Sequence, residues 1–145
     1  MRSSSTHSFR VALEPQLYRD IEIASDVSLH DLAAAIVGAF GFELDHPFGF
    51  YSRISGNVLR SPVKYESWAD LPDMESDAGS VTETSIAEAF PGPRAKMLFL
   101  FDYGDDWRFV VTRRAIGTPD ATATYPRVVG SKGKAPEQYP TDEEP

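Results

Sequence analysis

The residues best equipped for chemistry lie close together, in the stretch FLFDYGDDWRF at positions 99–109. Asp102, Asp105 and Asp106 fall between an apolar run and Trp107, with Tyr103 and Gly104 inside the same bend. Carboxylates at one bend can share a hard cation such as Mg²⁺, Mn²⁺ or Ca²⁺. Neighbouring carboxylates can also divide into an acid and a base when burial separates their pKa values. A third reading is structural, because Asp side chains accept hydrogen bonds from backbone N–H groups in tight turns. On that reading Gly104 is the residue expected to take the positive φ. His46 is the other candidate, since it follows Asp45 and opens HPFGF. The binding candidates are therefore Asp102, Tyr103, Asp105, Asp106, Trp107 and His46. If a metal is held, Asp102, Asp105 and Asp106 are its expected ligands, and no cofactor beyond such a divalent cation is predicted.

Other known chemistries have no matching pattern. The acidic stretch lacks the spacing of an EF-hand loop, and the chain has no phosphate-binding glycine loop and no H-E-x-x-H. A G-x-S-x-G nucleophile elbow is also missing. His7, His30 and His46 are too scattered for a sequence-local metal motif. With no cysteine, disulfides, thiolate metal sites and cysteine nucleophiles are excluded together.

The elements that must position these residues are legible from periodicity. Residues 8–14 and 17–24 alternate and are joined by Pro15-Gln16, which predicts a hairpin. A helix over 28–40 follows, with Ser28 and Asp31 spaced as a capping box and Val27 and Leu32 as a hydrophobic staple. Leu29, Leu32, Ala33, Ile36 and Phe40 form its apolar face, and Gly41 is placed to end it. His30 lies off that face and is expected in solvent. A strand over 48–54 comes next. Residues 55–83 read as an irregular acidic region anchored by Trp68. Ser85 and Glu88 repeat the capping-box spacing before a short helix. The run KMLFLF at 96–101 suits a strand buried on both faces, and 107–115 alternates as its hairpin partner. Arg113 and Arg114 are expected at the solvent end. Beyond Ile116 the chain is rich in Pro, Gly, Thr and Lys, and Tyr125 and Val128 are expected to dock it on the domain.

The chain has 145 residues, 41% of them hydrophobic and 12% aromatic, which suits one domain with its own core. The predicted organisation is a flexible stretch at 1–7, one domain over 8–136 and a disordered acidic tail at 137–145. The fold class is α+β, a mixed and mostly antiparallel sheet in ββαβ…ββ order with the 28–40 helix packed across one face. The net charge of -8 opposes binding to phosphate backbones. A protein partner is expected ahead of a nucleic acid. No run approaches the about 20 apolar residues of a membrane span, and the first residues do not read as a secretory signal. A cytoplasmic location is the expectation.

FLFDYGDDW resembles the signature of the plasmid pRiA Orf-three-like family, an aromatic residue followed by D-F-G-D-D-W. The helix ending AFGF, the following DHPFGF, and YPRVVGSKGKAPEQYP are similar to further segments of that family, over about Phe9 to Tyr139. The chain departs from the pattern at three places. Val128 or Val129 stands near a usual Cys, PEQY replaces P-P-E-D, and Phe109 stands where a His is common. The resemblance implies a compact bacterial α+β domain, sometimes a passenger of a plasmid or insertion element and sometimes labelled resolvase-like. It implies no established activity. The acidic chain also lacks the Arg-rich site and basic region a resolvase needs. The favoured expectation is a non-enzymatic binding or interaction module. The alternatives are a metal-dependent enzyme acting on a phosphate or nucleic-acid substrate through the bend, and a DNA-associated accessory protein of a mobile element.

Overall fold

The computed structural model describes residues 5–140. Eight strands form one sheet: β1 (Thr6–Glu14), β2 (Leu17–Ala24), β3 (Phe48–Tyr51), β4 (Lys64–Glu66), β5 (Gly79–Ser80), β6 (Lys96–Phe101), β7 (Trp107–Gly117) and β8 (Arg127–Lys132). Their order across the sheet is β5-β4-β3-β6-β7-β1-β2-β8. Only the short β4–β5 pair is parallel. Both expected hairpins form, β1 with β2 and β6 with β7. No helix among the described residues is long and apolar enough to cross a membrane.

Helix α1 (Leu29–Ala39) packs across one face. Ser28 Oγ accepts from the Asp31 N–H, and the Asp31 carboxylate accepts from the Ser28 N–H, so two otherwise unpaired groups are satisfied reciprocally. At the other end Gly41 has φ +77. The Gly41 N–H donates to the Gly38 carbonyl and the Phe42 N–H to the Val37 carbonyl. This Schellman closure turns the chain so that Phe42 enters the core beside Val37. A second capped helix, α2 (Ile86–Ala89), repeats the box with Ser85 and Glu88. The two caps are cross-linked by backbone. Leu29 N–H donates to the Thr84 carbonyl, and Ile86 N–H to the Val27 carbonyl.

The sheet has two apolar faces. Phe9, Val11, Ile21, Phe99, Phe109 and Val111 meet α1 in the main core. On the other face Tyr51, Val58, Leu98 and Leu100 form a smaller cluster. β6 therefore contributes to both layers, as its continuous apolar run requires.

Several expectations need correction. Thr6 and His7, expected in a loose leader, lie in β1 and are buried. Residues 48–54 yield a strand only to Tyr51. The region 55–83 contributes β4 and β5, which are too short to show a period. Arg127–Lys132 is not a loosely docked segment but an edge strand on β2, and Val128 points outward at 49% exposure. The basic residues are partly engaged: Arg113 reaches the Phe90 carbonyl, and Arg127 pairs with Glu22 at 2.8 Å. Of the expected tail, Gln138 and Tyr139 are held by side-chain hydrogen bonds, while residues 141–145 lie outside the described ones. Residues 1–4 of the expected leader lie outside them too.

Candidate functional site

The bend 102–106 joins β6 to β7, and its local geometry is built by Asp102. The Asp102 Oδ1 atom accepts from the N–H groups of Gly104 and Asp105, both at 3.2 Å. Its carbonyl accepts from the Asp106 N–H. The left-handed residues are Asp102 at φ 65 and Asp106 at φ 58, not Gly104. Asp tolerates that region better than most residues because its short polar side chain bonds locally.

The expected carboxylate triad does not converge. Asp106 turns to Arg108, with Oδ1 2.9 Å from Nε, and Arg108 also reaches the Gly56 carbonyl. Asp105 is exposed, whereas Asp102 is 7% exposed. Among the described residues no three His, Asp or Glu groups are arranged to hold a metal ion. Trp107 also turns away from the bend. Its ring meets Phe42 edge-on at 4.9 Å and packs, partly buried, against the main core.

His46 and Asp102 are brought together. Antiparallel pairing sets Phe48 opposite Phe101, and the Asp102 N–H donates to the Pro47 carbonyl. That register leaves His46 Nε2 3.5 Å from Asp102 Oδ2. The C-terminal segment closes over the pair. Tyr139 Oη donates to Asp45 Oδ2 at 2.8 Å and lies 2.7 Å from His46 Nε2. Because the phenol proton goes to Asp45, the imidazole Nε2 carries the proton in the second contact. Tyr139 is pushed up to about 12, first by desolvation and then by the Asp45 carboxylate. Gln138 adds a two-way bond to the Glu43 backbone, accepting from its N–H and donating to its carbonyl.

Tyr103 points to the opposite face of the sheet. Tyr51 Oη donates to Glu66 Oε2 at 2.6 Å, and the Tyr103 hydroxyl lies 2.7 Å from Tyr51 Oη. Ser76 Oγ donates to the other Glu66 oxygen. Tyr51 is fully buried, and its phenol is held far above its ordinary range by burial first and the Glu66 hydrogen bond second. Tyr103 is raised too, chiefly by burial. Gly49 makes room, since a Cβ there would stand 2.7 Å from both hydroxyl oxygens. The network borders an open cleft of about 860 Å³ that Leu59, Glu66, Trp68, Met74 and Tyr103 help to line. The Trp68 and Tyr103 rings meet edge-to-face at 5.3 Å.

Three of the four segments that carry the resemblance thus meet at one end of the sheet: DHPFGF, the acidic bend, and the PEQY end of the C-terminal segment. The family model for plasmid pRiA4b ORF-3-like proteins matches residues 7–139, nearly the whole chain. The chain belongs to the plasmid pRiA4b ORF-3-like family. No curated protein matches it. This ORF-3-like chain shares its fold with a protein of unknown function, MM3350 from Methanosarcina mazei Go1, with a TM-score of 0.72. That match is 18% identical and covers 90% of this chain and 71% of the other. In the ORF-3-like chain, the sequence pointed to His46, Asp102 and Tyr103. It did not point to Asp45 and Tyr139 as their clamp, nor to Tyr51, Glu66 and Gly49 as the floor of a cleft. The signal for the clamp was present in PEQY standing at a motif position. Nothing local marks Glu66, whose neighbours are set by cross-strand pairing.

Proposed function

We propose that this ORF-3-like domain is a non-enzymatic interaction module that binds a protein through the cleft beside Tyr103. The carrying observation is where apolar surface is left uncovered. Leu59 and Met74 line the cleft at 47% and 52% exposure, and Ile54, Val63 and Leu71 are exposed in the same stretch of chain. Exposed apolar groups on the wall of a concavity suit a partner's surface. The bend supports the same reading, because Asp102 accepts from local N–H groups, Asp106 turns to Arg108 and Asp105 is exposed, so the three carboxylates are not aimed at a common point. The net charge of -8 favours a protein over a nucleic acid as that partner.

Photo-crosslinking tests this directly. A benzophenone side chain placed at Leu59 or Met74 should give a discrete adduct in the native host. The same group at Glu14, exposed at the end of β1, should give none. Equal adducts from all three positions, or none from 59 and 74, would remove the reading.

A further inference from the structure

We infer that the cleft accepts a cationic side chain, lysine or arginine, from a basic segment of the partner. The inference rests on the interaction-module reading and names the chemistry of its ligand. Glu66 is 4% exposed, yet among the described residues no basic side chain pairs with it. The nearby ammonium of Lys64 goes instead to Asp77 at 3.0 Å and to the Leu59 carbonyl. A buried carboxylate without a cation is costly, and here hydroxyl groups are the side chains that donate to it.

Proton accounting sharpens the point. The single Tyr51 phenol proton goes to Glu66, so the Tyr103 hydroxyl must donate to Tyr51. Ser76 spends its proton on Glu66 as well. Every hydroxyl proton in the network is directed toward the carboxylate. What remains open to a ligand is acceptor capacity, on the Tyr103 oxygen and on Glu66. A ligand here must donate, and beside a carboxylate a charged donor gains most. Trp68 and Tyr103, at an interplanar angle of 71°, supply two aromatic walls. An ammonium or guanidinium is attracted to such ring faces. Glu75 and Asp77 on the rim outnumber Lys64, so the approach is acidic too. The openness of the cleft to water lets the incoming cation keep part of its hydration, which limits the desolvation cost.

The test is a heteronuclear NMR titration of the whole protein with blocked arginine, blocked lysine and blocked citrulline, the last a neutral isostere of arginine. The cationic probes should produce saturable shifts at the Trp68 indole N–H and at Ser76, and citrulline should produce none. Glu66→Gln should weaken binding at least about tenfold. Trp68→Leu should weaken it about three- to thirtyfold. Thermal midpoints accompany both variants, and if Glu66→Gln fails to fold, Trp68→Leu decides. A short neutral peptide carrying one arginine should bind more tightly than blocked arginine, because a partner segment also covers Leu59 and Met74. Equal shifts with citrulline, shifts spread evenly over surface acids, or a peptide no tighter than the blocked amino acid would each overturn the proposal. Crosslinks from positions 59 and 74 without any response to the cationic probes would sink the ligand class alone and leave the module reading standing.

Discussion

Two residues show how single positions carry this structure. Gly49 lacks a side chain because Tyr51 and Tyr103 occupy its space, with three side-chain atoms 2.7 Å from where a Cβ would be. Gly49→Ala must push a fully buried phenol off its hydrogen bonds. A loss of about 1–3 kcal/mol is expected in urea unfolding, and a neutral result would show that the phenol pair yields freely. His7 is the second case. Its Nδ1 lies 2.7 Å from Ser25 Oγ in a buried site, and its Nε2 has no partner among the described residues. Burial, and then the nearby Arg113 charge, lower its pKa below the ordinary 6.5, against a smaller opposing pull from the Phe90 carbonyl. With the folded value depressed, the unfolded chain binds the extra proton in the window below 6.5. Stability from this site is complete above that pH and is lost as pH falls toward the folded value. Denaturation midpoints measured across this window should drop on acidification, and the His7 share of that slope should vanish in His7→Phe. An unchanged slope would assign the pH dependence to other groups.

At the scale of elements, both helices are specified by their ends. Each has a complete capping box, and α1 also has a Schellman closure at Gly41. Space is not the constraint at Gly41, since nothing lies within 4 Å of where its Cβ would be. The constraint is the backbone, at φ +77. Gly41→Ala should therefore cost about 1–2 kcal/mol through strain alone, and Gly41→Asn less, because Asn tolerates the left-handed region. Equal losses for Ala and Asn, read from thermal unfolding, would contradict that account. The same closure steers Phe42 onto Trp107 and Phe109, so a helix end sets part of the packing behind the acidic bend.

At the scale of the molecule, the sheet interleaves the two halves of the chain. β6 and β7 from the second half stand between β3 and β1 from the first. Neither half can complete its hydrogen-bond ladder alone. Unfolding should accordingly be one cooperative event. The Trp68 and Trp107 fluorescence and far-ultraviolet circular dichroism should give coincident denaturant midpoints. A separate early transition at Trp68 would mean that the β4–β5 edge melts independently of the sheet. With so many pairings distant in sequence, refolding belongs on the millisecond-to-second scale typical of such topologies.

Local rules were legible in the sequence because they act over a few residues. Ser28, Asp31, Ser85 and Glu88 announce two helix starts, Gly41 a helix end, and alternation marks β1, β2 and β7. The continuous apolar run of β6 is bounded by its turns as expected. Edge strands of two or three residues leave no such imprint, so β4 and β5 were invisible, and β8 was hidden in a loop-like composition. The candidate site divides the same way. Sequence alone put Asp102, Tyr103, Asp105 and Asp106 in one bend, but not which way each side chain turns. That was decided by the β3–β6 register, which brings His46 to Asp102, and by Tyr139 arriving from far along the chain. It was decided again by the left-handed backbone of Asp102, which breaks the strand alternation after Phe101 and sends Tyr103 to the face where Tyr51 and Glu66 wait. Backbone preference fixes a turn, whereas the choice of partners for its side chains is a property of strand register, which only the packed core selects.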